Sequence, residues 1–377
     1  MPIPDTTLAA VTTGARSTEL RELPIPRIEP DSGLLQVEAA GVCGADVRSY
    51  QRALPPRIMG HENVGFIAAL GTAAARRWGV SEGDRVVLEE YLPCGHCEFC
   101  RSAEFRFCPT SDARANPSAV RYGSTPVDTA PGLWGGYSQY MYLHPNTVVH
   151  HLPASIPAAI ASLALPLGNG YEWACIYGQA GPGKTVVIFG PGQQGLGCVI
   201  AARAAGADRV ILTGLRRDAR RLEVGKLLGA DEVIVTEGID ARDAISEATG
   251  GAGADIVIDT AAGSEETVSL ALDVLRKQGT LVAPAAASRP LSGLAFGKIT
   301  NKCITVRGAR GHSYRAVEWA ISVMQAGRFA LSEMCSLECS LEEVDRAIRG
   351  TGGELDIPVI HAAVFPNLEP AQNGAGS

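Results

Sequence analysis

The residues with the clearest chemical potential are four cysteines, Cys94, Cys97, Cys100 and Cys108, at the spacing C-x2-C-x2-C-x7-C. Four thiolates so close together are a ligand set for tetrahedral zinc, and zinc–sulfur bonds can fold a loop that lacks a core of its own. A disulfide pair is the alternative, but no apolar signal segment precedes the first domain, and a cytoplasmic chain uses clustered cysteines for metal. We therefore predict a structural zinc lobe at about residues 91–110 and a cytoplasmic location.

The composition restricts the class of protein. The chain has 377 residues, enough for two domains, and its 33 basic and 40 acidic residues give a formal net charge of −7. This balance, without a basic run, argues against nucleic acid as a partner. No stretch approaches the roughly 18 apolar residues of a membrane-spanning helix. We expect a small-molecule substrate, with neither nucleic acid nor a membrane as a partner.

Two patterns of predicted elements divide the chain. Residues 1–153 show short strands bounded by Gly, Pro and Asp, which predicts a small β-rich domain. From about residue 154, short apolar strands alternate with longer helices, a pattern typical of an α/β protein with a doubly wound parallel sheet. We predict that this second domain covers 154–309 and that the chain returns to the first domain over 310–377.

A glycine-rich loop lies where a dinucleotide site requires it. Gly190, Gly192 and Gly195 form G-x-G-x-x-G with Gln193 and Gln194, after a predicted strand and before a predicted helix. The first glycine permits a tight turn, the second lets the backbone approach a pyrophosphate, and the third allows close packing of helix and strand. The helix N-terminus adds a partial positive charge toward the phosphates.

The next strand predicts which dinucleotide is preferred. An NAD site usually places an acidic residue at the end of this strand to bind the ribose 2′-hydroxyl. Here the strand ends at Gly214, and Arg216 and Arg217 follow. Either arginine could bind a 2′-phosphate, so we predict NADP over NAD. The alternative is that both arginines are solvated residues at a helix start.

A second group of candidate ligands precedes the cysteine lobe. Cys43 and His61 are good zinc-ligand types, and Glu62 follows His61 within the motif G-H-E-x2-G-x5-G. With the lobe and the glycine loop, this motif resembles the zinc-containing medium-chain dehydrogenases/reductases, which include alcohol, polyol and threonine dehydrogenases. The resemblance implies a GroES-like catalytic domain beside a Rossmann domain, hydride transfer between an alcohol carbon and nicotinamide, and a homodimer or homotetramer.

The resemblance also implies roles for individual residues. Cys43 and His61 match the first two ligands of the catalytic zinc, and Asp46 matches the carboxylate that orients the histidine. Glu62 matches an acidic neighbour that can reach the metal. Asn169 matches a position near the nicotinamide ring.

Three positions depart from the pattern of the family. Its third ligand falls at Leu165 or Pro166, its relay hydroxyl at Ala45, and its relay histidine at Arg48. An aliphatic side chain cannot bind zinc, and alanine cannot pass a proton. The reacting site therefore differs from that of its relatives.

These departures leave several interpretations open. In the first, Cys43, His61 and Glu62 hold a catalytic zinc, and the chain is an NAD(P)-linked alcohol dehydrogenase or ketone reductase acting on a secondary alcohol. In the second, the metal is lost and the chain reduces an activated C=C bond. A non-catalytic nucleotide-binding protein is the third. Glu172 and Cys175 are more distant candidates for a replacement ligand.

Arginines in the segment between the first two ligands suggest an anionic substrate. Arg48, Arg52 and Arg57 could bind a carboxylate or phosphate on the substrate. A solvated loop is the alternative.

Overall fold

The computed structural model describes residues 3–261, 264–284 and 290–368. The described chain forms two compact units. The first consists of residues 3–164 with 335–368, and the second lies within residues 165–334. None of the helices in the described residues combines the length and the apolar character needed to cross a membrane.

The first unit begins with short strands and short helices. Its strands are β1 (Thr6–Gly14), β2 (Ser17–Pro24), β3 (Gly33–Gly41), β4 (Arg57–Ile58), β5 (Glu62–Leu70), β6 (Arg85–Leu88), β7 (Tyr140–Leu143) and β8 (Val149–His151). Its helices are α1 (Gly44–Tyr50), α2 (Thr72–Trp78), α3 (Glu98–Arg101) and α4 (Ala158–Ala161), with a 3-10 turn at Phe105–Phe107.

The second unit alternates helices and strands. Its strands are β9 (Thr185–Phe189), β10 (Arg209–Gly214), β11 (Glu232–Val235), β12 (Ala254–Asp259), β13 (Leu275–Ala283) and β14 (Thr305–Gly308). Its helices are α5 (Ala164–Tyr171), which continues as a π-helix (Glu172–Tyr177), α6 (Gln193–Ala204), α7 (Ala219–Leu227), α8 (Ala241–Ala248), α9 (Glu265–Val274), α10 (Phe296–Lys302) and α11 (Tyr314–Ala326), with 3-10 turns at Arg216–Asp218 and Leu331–Glu333.

The chain then returns to the first unit. It adds β15 (Cys335–Cys339), a 3-10 turn (Leu341–Glu343), α12 (Val344–Thr351) and β16 (His361–Val364). Over the described residues the main sheet has the order β15-β16-β3-β5-β6-β8, with β7 also paired to β3, and a smaller sheet has the order β2-β1-β4. Strands β3 and β5 are antiparallel, with Gly41 opposite Glu62. The residue after β3 and the residue before β5 therefore lie at the same end of the sheet.

The second unit contains a parallel sheet with the order β11-β10-β9-β12-β13-β14 in the described residues. The order reverses between β9 and β12, as in a doubly wound dinucleotide-binding fold. Val186, Val187 and Ile188 of β9 are fully buried, as expected for a central strand covered on both faces. The predicted fold class is confirmed.

The domain boundaries differ from those predicted. The units meet at 164/165 and 334/335 rather than at 153/154 and 309/310, so α11 lies in the second unit. The Trp319 ring of α11 stacks on Tyr171 with centroids 4.5 Å apart. The hydroxyl of Ser313, at the N-terminus of α11, donates a hydrogen bond of 2.6 Å to Glu172. An amphipathic helix pattern does not show which unit the helix packs in, and these contacts with α5 and its π-helix place α11 in the second unit.

Candidate functional site

The structure brings three predicted ligands together in the first unit. Cys43 follows β3 as the N-cap of α1, His61 precedes β5, and Glu62 is the first residue of β5. One ligand atom from each, the Cys43 thiol, an imidazole nitrogen of His61 and a Glu62 carboxylate oxygen, lies within 4.8 Å of the other two. The antiparallel pairing of β3 and β5 produces this cluster from residues far apart in sequence.

The Asp46 carboxylate connects two of these ligands. It accepts a hydrogen bond of 2.9 Å from the backbone N–H of Cys43, and its other oxygen lies 3.3 Å from Nδ1 of His61. The hydroxyl of Tyr137 donates to it at 3.4 Å. Because Nδ1 of the imidazole faces Asp46, the remaining nitrogen of His61 is left to bind a metal. The arrangement is that of an orienting carboxylate behind a histidine ligand.

The electrostatics of the cluster favour a bound cation. Burial raises the pKa of Glu62 to about 8, and burial and the nearby Glu62 raise the pKa of the Cys43 thiol. Burial alone would lower the pKa of His61, but the charge and hydrogen bond of Asp46 raise it well above its usual value. Burial therefore disfavours the anionic forms of Cys43 and Glu62, and a divalent ion bound beside them would stabilise those forms. Thiolate, imidazole and carboxylate ligands with one open position fit a catalytic zinc.

Two residues that the sequence did not indicate, Gly41 and His361, lie close to each other on neighbouring strands, and Gly41 faces the Glu62 side chain. A Cβ added to Gly41 would lie 2.6 Å from Oε2 of Glu62 and 2.8 Å from Cε1 of His361, so only glycine fits between them. His361 is fully buried on β16, and its Nε2 lies 2.8 Å from the hydroxyl of Ser162. Neither residue belongs to a recognisable sequence motif, because their contacts form only when strands from distant parts of the chain pair.

The four cysteines of the lobe also converge. Their thiol sulfurs lie within 4.8 Å of one another, with 3.4 Å between Cys97 and Cys100 and 3.9 Å between Cys94 and Cys100. All four are free thiols rather than disulfides. The donor set fits a closed tetrahedral zinc site, as the spacing predicts.

The backbone around the lobe stabilises thiolates. Burial alone would raise the pKa of Cys108, but the backbone N–H groups of Cys94, Thr110 and Ser111 lower it to about 6. Hydrogen bonds from the backbone at His96 and Cys97 contribute to lowering the pKa of Cys94. A thiolate is the form that binds metal, so these bonds favour Cys94 and Cys108 as ligands, whereas burial raises the pKa of the Cys100 thiol.

In the second unit the glycine loop joins β9 to α6. Gly190 has a φ of +92°, in the region that favours glycine, and a Cβ on Gly195 would lie 1.9 Å from the carbonyl oxygen of Gly190. Gly192 is the N-cap of α6, and no atom lies within 4 Å of a Cβ built on it. Gln193 and Gln194 form the first turn of α6. An open glycine at a helix N-terminus fits a dinucleotide pyrophosphate.

The end of β10 lies beside the glycine loop and has one acidic residue near it. Gly214 packs against Pro191 of the glycine loop, and Arg216 and Arg217 are exposed. Within the described residues neither guanidinium joins an ion pair. The backbone N–H of Arg216 donates a hydrogen bond of 2.5 Å to the carboxylate of Glu237. No local motif indicated Glu237, because it follows β11 rather than β10.

The more distant ligand candidates are held within the second unit. Glu172 accepts hydrogen bonds from the backbone N–H and hydroxyl of Ser313, at 3.1 and 2.6 Å. The Cys175 thiol donates to the carbonyl of Ala201 at 3.4 Å. Neither joins a metal-binding group among the residues that the structure describes, and a role for them as replacement ligands stays a prediction. Leu165 is a buried apolar residue.

Asn169 lies on α5 in the second unit. Its side-chain oxygen is 2.9 Å from Nδ1 of His312. This hydrogen bond fixes the amide orientation, and the predicted role near the nicotinamide ring stays a prediction.

The three arginines between the ligands have different surroundings. Arg57 donates to the backbone carbonyls of Pro55 and Ser124, at 3.0 and 2.8 Å. Its guanidinium therefore joins two backbone segments of the first unit. Arg48 and Arg52 are exposed. Only these two remain candidates for binding a substrate anion.

Comparison with known proteins agrees with both units. Residues 29–154 match the family described as alcohol dehydrogenase GroES-like domain, and residues 195–326 match the family described as zinc-binding dehydrogenase. A probable alcohol dehydrogenase of Mycobacterium tuberculosis H37Rv is 36% identical, over 95% of this chain and 98% of the relative. An erythritol/L-threitol dehydrogenase of Mycolicibacterium smegmatis is 31% identical, over 92% of this chain and 94% of the relative.

Solved structures show the same fold. An Escherichia coli oxidoreductase/dehydrogenase of unknown specificity, ECK1772, superposes with a TM-score of 0.82 at 25% identity, covering 96% of this chain and 99% of that chain. The chain therefore belongs to the zinc-type medium-chain dehydrogenase/reductase family, whose members are oxidoreductases.

Proposed function

We propose that this chain is a zinc-dependent, NAD(P)-linked alcohol dehydrogenase that interconverts a secondary alcohol and a ketone. In the oxidising direction the carbinol C–H bond breaks, its hydride passes to C4 of the oxidised nicotinamide, and the hydroxyl proton goes to water. The cluster of Cys43, His61 and Glu62 with Asp46 behind it is the observation that carries this proposal. The names of the mycobacterial relatives support it.

The residues of the chain would divide the work as follows. Cys43, His61 and Glu62 would hold the zinc, which when bound polarises the alcohol oxygen and lowers its pKa. Asp46 would keep the imidazole in one orientation and strengthen it as a ligand. Ala45 offers no hydroxyl, so the proton must leave through water rather than through a side chain at that position.

Metal analysis and turnover together test this proposal. We expect two zinc ions per chain, and one ion in a Cys43→Ser variant that has lost ketone reduction. Cys175→Ser is the matched control, because its thiol bonds only within the second unit, and it should keep both ions. One zinc per chain with reduction of enones would instead support the zinc-independent C=C reductase. Two zinc ions without turnover of alcohols, ketones or enones would support a non-catalytic nucleotide-binding protein.

We also propose that NADP is the preferred dinucleotide. The exposed guanidinium groups of Arg216 and Arg217 after β10 support this preference, since a 2′-phosphate suits an arginine fork. Replacing both with Gln should raise the KM for NADPH about 10- to 100-fold, as expected for losing charge-assisted hydrogen bonds, and change the KM for NADH little. Arg209→Gln, at the opposite end of β10, is the control. A wild-type preference for NADH would contradict this proposal.

A homo-oligomer, at least a dimer, is proposed as well. Strand β14 is an edge of the parallel sheet, all of its residues are exposed, and Val306 is 48% exposed. An exposed edge strand is protected when it pairs with a second copy across a two-fold axis. Val306→Glu should yield monomers in light-scattering chromatography, whereas Leu20→Glu on β2 should not. A monomeric wild-type chain would contradict the proposal.

We further propose a cytoplasmic location. All ten cysteines are free thiols, which suits a reducing compartment. Fractionation of cells that produce the chain would test this.

A further inference from the structure

Glu237 lies at the edge of the parallel sheet where the glycine loop begins. The backbone N–H of Gly190, the first glycine of that loop, donates a hydrogen bond of 3.0 Å to the carbonyl of Thr213 in β10. The N–H of Thr236 donates to the carbonyl of Gly214, the last residue of β10, also at 3.0 Å. Glu237 follows Thr236 directly, so these bonds hold it beside the end of β10.

The Glu237 carboxylate contacts Arg216. Its Oε2 accepts a hydrogen bond of 2.5 Å from the backbone N–H of Arg216. The guanidinium of Arg216 lies over the next residue of the same loop, because a Cβ added to Gly238 would be 3.1 Å from a terminal nitrogen of Arg216. Glu237 is exposed, and among the described residues its carboxylate has no other hydrogen bond and no ion pair. A solvent-facing anion thus occupies a backbone donor of Arg216.

The other carboxylate of this turn serves the fold. Asp218 is buried, accepts a hydrogen bond of 3.0 Å from the backbone N–H of Leu215, and pairs with Arg221 at 3.1 Å. Its charge is therefore balanced within the turn. Glu237 is the carboxylate of this turn that can respond to a ligand.

The architecture indicates which part of a dinucleotide reaches this edge. In a doubly wound dinucleotide-binding sheet, the end of the second strand faces the 2′ position of the adenosine ribose. Strand β10 is that strand here, and Arg216 lies two residues after its end. A 2′-phosphate would therefore need the N–H and guanidinium donors of Arg216, which are the groups that Glu237 adjoins.

A carboxylate at this position discriminates between the two dinucleotides. A phosphate monoester carries about −1.5 to −2 charges at pH 7, so it is repelled by Glu237 and competes with it for the same N–H. The 2′-hydroxyl of NAD is neutral and can donate a hydrogen bond to a carboxylate. Glu237 is thus a repulsive element that acts on one of two similar ligands.

We propose that Glu237 is a specificity-determining residue of the dinucleotide site, whose carboxylate competes with the 2′-phosphate of NADP for the donors of Arg216. This inference rests on the proposed binding of the dinucleotide at the glycine loop and β10. Glu237 must leave the Arg216 N–H when NADP binds and can stay when NAD binds. It therefore limits the preference for NADP that Arg216 and Arg217 create.

The test uses two nucleotides that differ only in the 2′-phosphate, AMP and adenosine 2′,5′-bisphosphate. In Glu237→Gln the side chain keeps its shape and an acceptor oxygen for the Arg216 N–H, but it loses its charge. Calorimetric titration of the full chain should show a Kd for the bisphosphate about 10-fold lower than in wild type, because a repulsion between exposed charges is removed. The Kd for AMP should change little. The Kd values for NADPH and NADH should follow the same pattern.

Salt dependence separates a charge effect from a change in the loop. In about 1 M NaCl the difference between wild type and Glu237→Gln in bisphosphate binding should shrink, because exposed charges are screened at this ionic strength. A rearranged loop would leave the difference unchanged.

Glu232→Gln is the matched control. Glu232 begins the same strand, β11, at the opposite edge of the sheet, where it pairs with Arg209 at 2.7 Å. The variant makes the same change of net charge away from the glycine loop and should keep the wild-type ratio of the two Kd values. Binding of AMP by each variant shows that the site is folded.

Three results would overturn the inference. Glu237→Gln could keep the wild-type ratio of the Kd values for the bisphosphate and AMP, or the difference could persist in high salt. Weaker bisphosphate binding by this variant would instead mean that Glu237 orients Arg216 toward the phosphate.

The proposed NADP preference is judged separately, from the wild-type Kd values for NADPH and NADH. A wild type that prefers NADH, with tighter NADPH binding in Glu237→Gln, would contradict that preference and support the role of Glu237. Failure of the wild type to bind AMP and both dinucleotides would contradict the proposed function, and this inference with it.

Discussion

Substituting Gly192 with alanine should separate dinucleotide binding from stability. No atom lies within 4 Å of a Cβ at this position, and its φ of −72° and ψ of 175° suit alanine. Replacing glycine reduces the entropy of the unfolded chain, a gain of about 0.4–1 kcal/mol, whereas alanine is a poorer N-cap by a similar amount. The two effects nearly cancel, so the free energy of unfolding should change by less than about 1 kcal/mol.

Dinucleotide binding, unlike stability, should be strongly weakened by the methyl group of Gly192→Ala. It would occupy the space in which a pyrophosphate must approach the N–H groups of α6. Loss of two charge-assisted hydrogen bonds at about 1.5 kcal/mol each corresponds to a rise in Kd of about 150-fold. Fluorescence titration with NADPH and NADH measures Kd, and denaturant unfolding measures stability.

Two other glycines provide the comparison. A Cβ on Gly195 would lie 1.9 Å from the carbonyl oxygen of Gly190, so Gly195→Ala should lower the free energy of unfolding by about 3 kcal/mol or more through overpacking. Gly181→Ala, whose Cβ comes no closer than 3.8 Å to Ala205, should change neither property. If Gly192→Ala bound both dinucleotides as tightly as wild type, the pyrophosphate would not lie at this helix N-terminus.

Three further predictions concern metal and stability. Cys97→Ser should release the lobe zinc, measured by metal analysis, and lower the unfolding midpoint; unchanged zinc content would exclude the lobe as a metal site. Burial lowers the pKa of His361 from 6.5 to about 3. The free energy of unfolding should therefore be highest above pH 6.5 and should decrease as the pH falls toward 3, because the unfolded chain binds the proton more tightly. Denaturant unfolding of His361→Gln should show a weaker dependence on pH over this range. Lys302 donates to the carbonyls of Leu272, Asp273 and Leu275 at 2.7–2.8 Å, so Lys302→Met should cost about 2 kcal/mol of stability; an unchanged midpoint would refute a capping role for Lys302.

The sequence predicted the parts of the site that depend on local spacing. The lobe cysteines lie close together in the chain, and the glycine loop follows directly from the order of strand, turn and helix. Asp46 was predicted from the resemblance to the family, and its position three residues after Cys43 lets it accept the backbone N–H of Cys43. In such motifs the spacing of the residues along the chain is enough to determine how their side chains are arranged.

The remaining features depend on contacts between distant residues. Tyr137 reaches Asp46 and His361 lies beside Gly41 only after the strands have paired, and neither residue has a local signal. The error in the predicted domain boundary at α11 has the same origin, because the hydrogen bond from Ser313 to Glu172 joins residues 141 positions apart in the sequence. Arg57 looked equivalent to Arg48 in sequence, but the carbonyl of Ser124 distinguishes the two.

The placement of β16 has a consequence for biosynthesis. This strand pairs with β3 on one side and β15 on the other, and its Ala363 lies opposite Gly41, the residue that pairs with Glu62. The second unit, by contrast, is one continuous stretch of chain. As the ribosome proceeds from the N-terminus, the dinucleotide-binding unit can fold while the metal-binding unit still lacks strands of its sheet. The site around Glu62 is thus completed late, and the zinc proposed for it would be acquired after synthesis of the nucleotide-binding unit has ended.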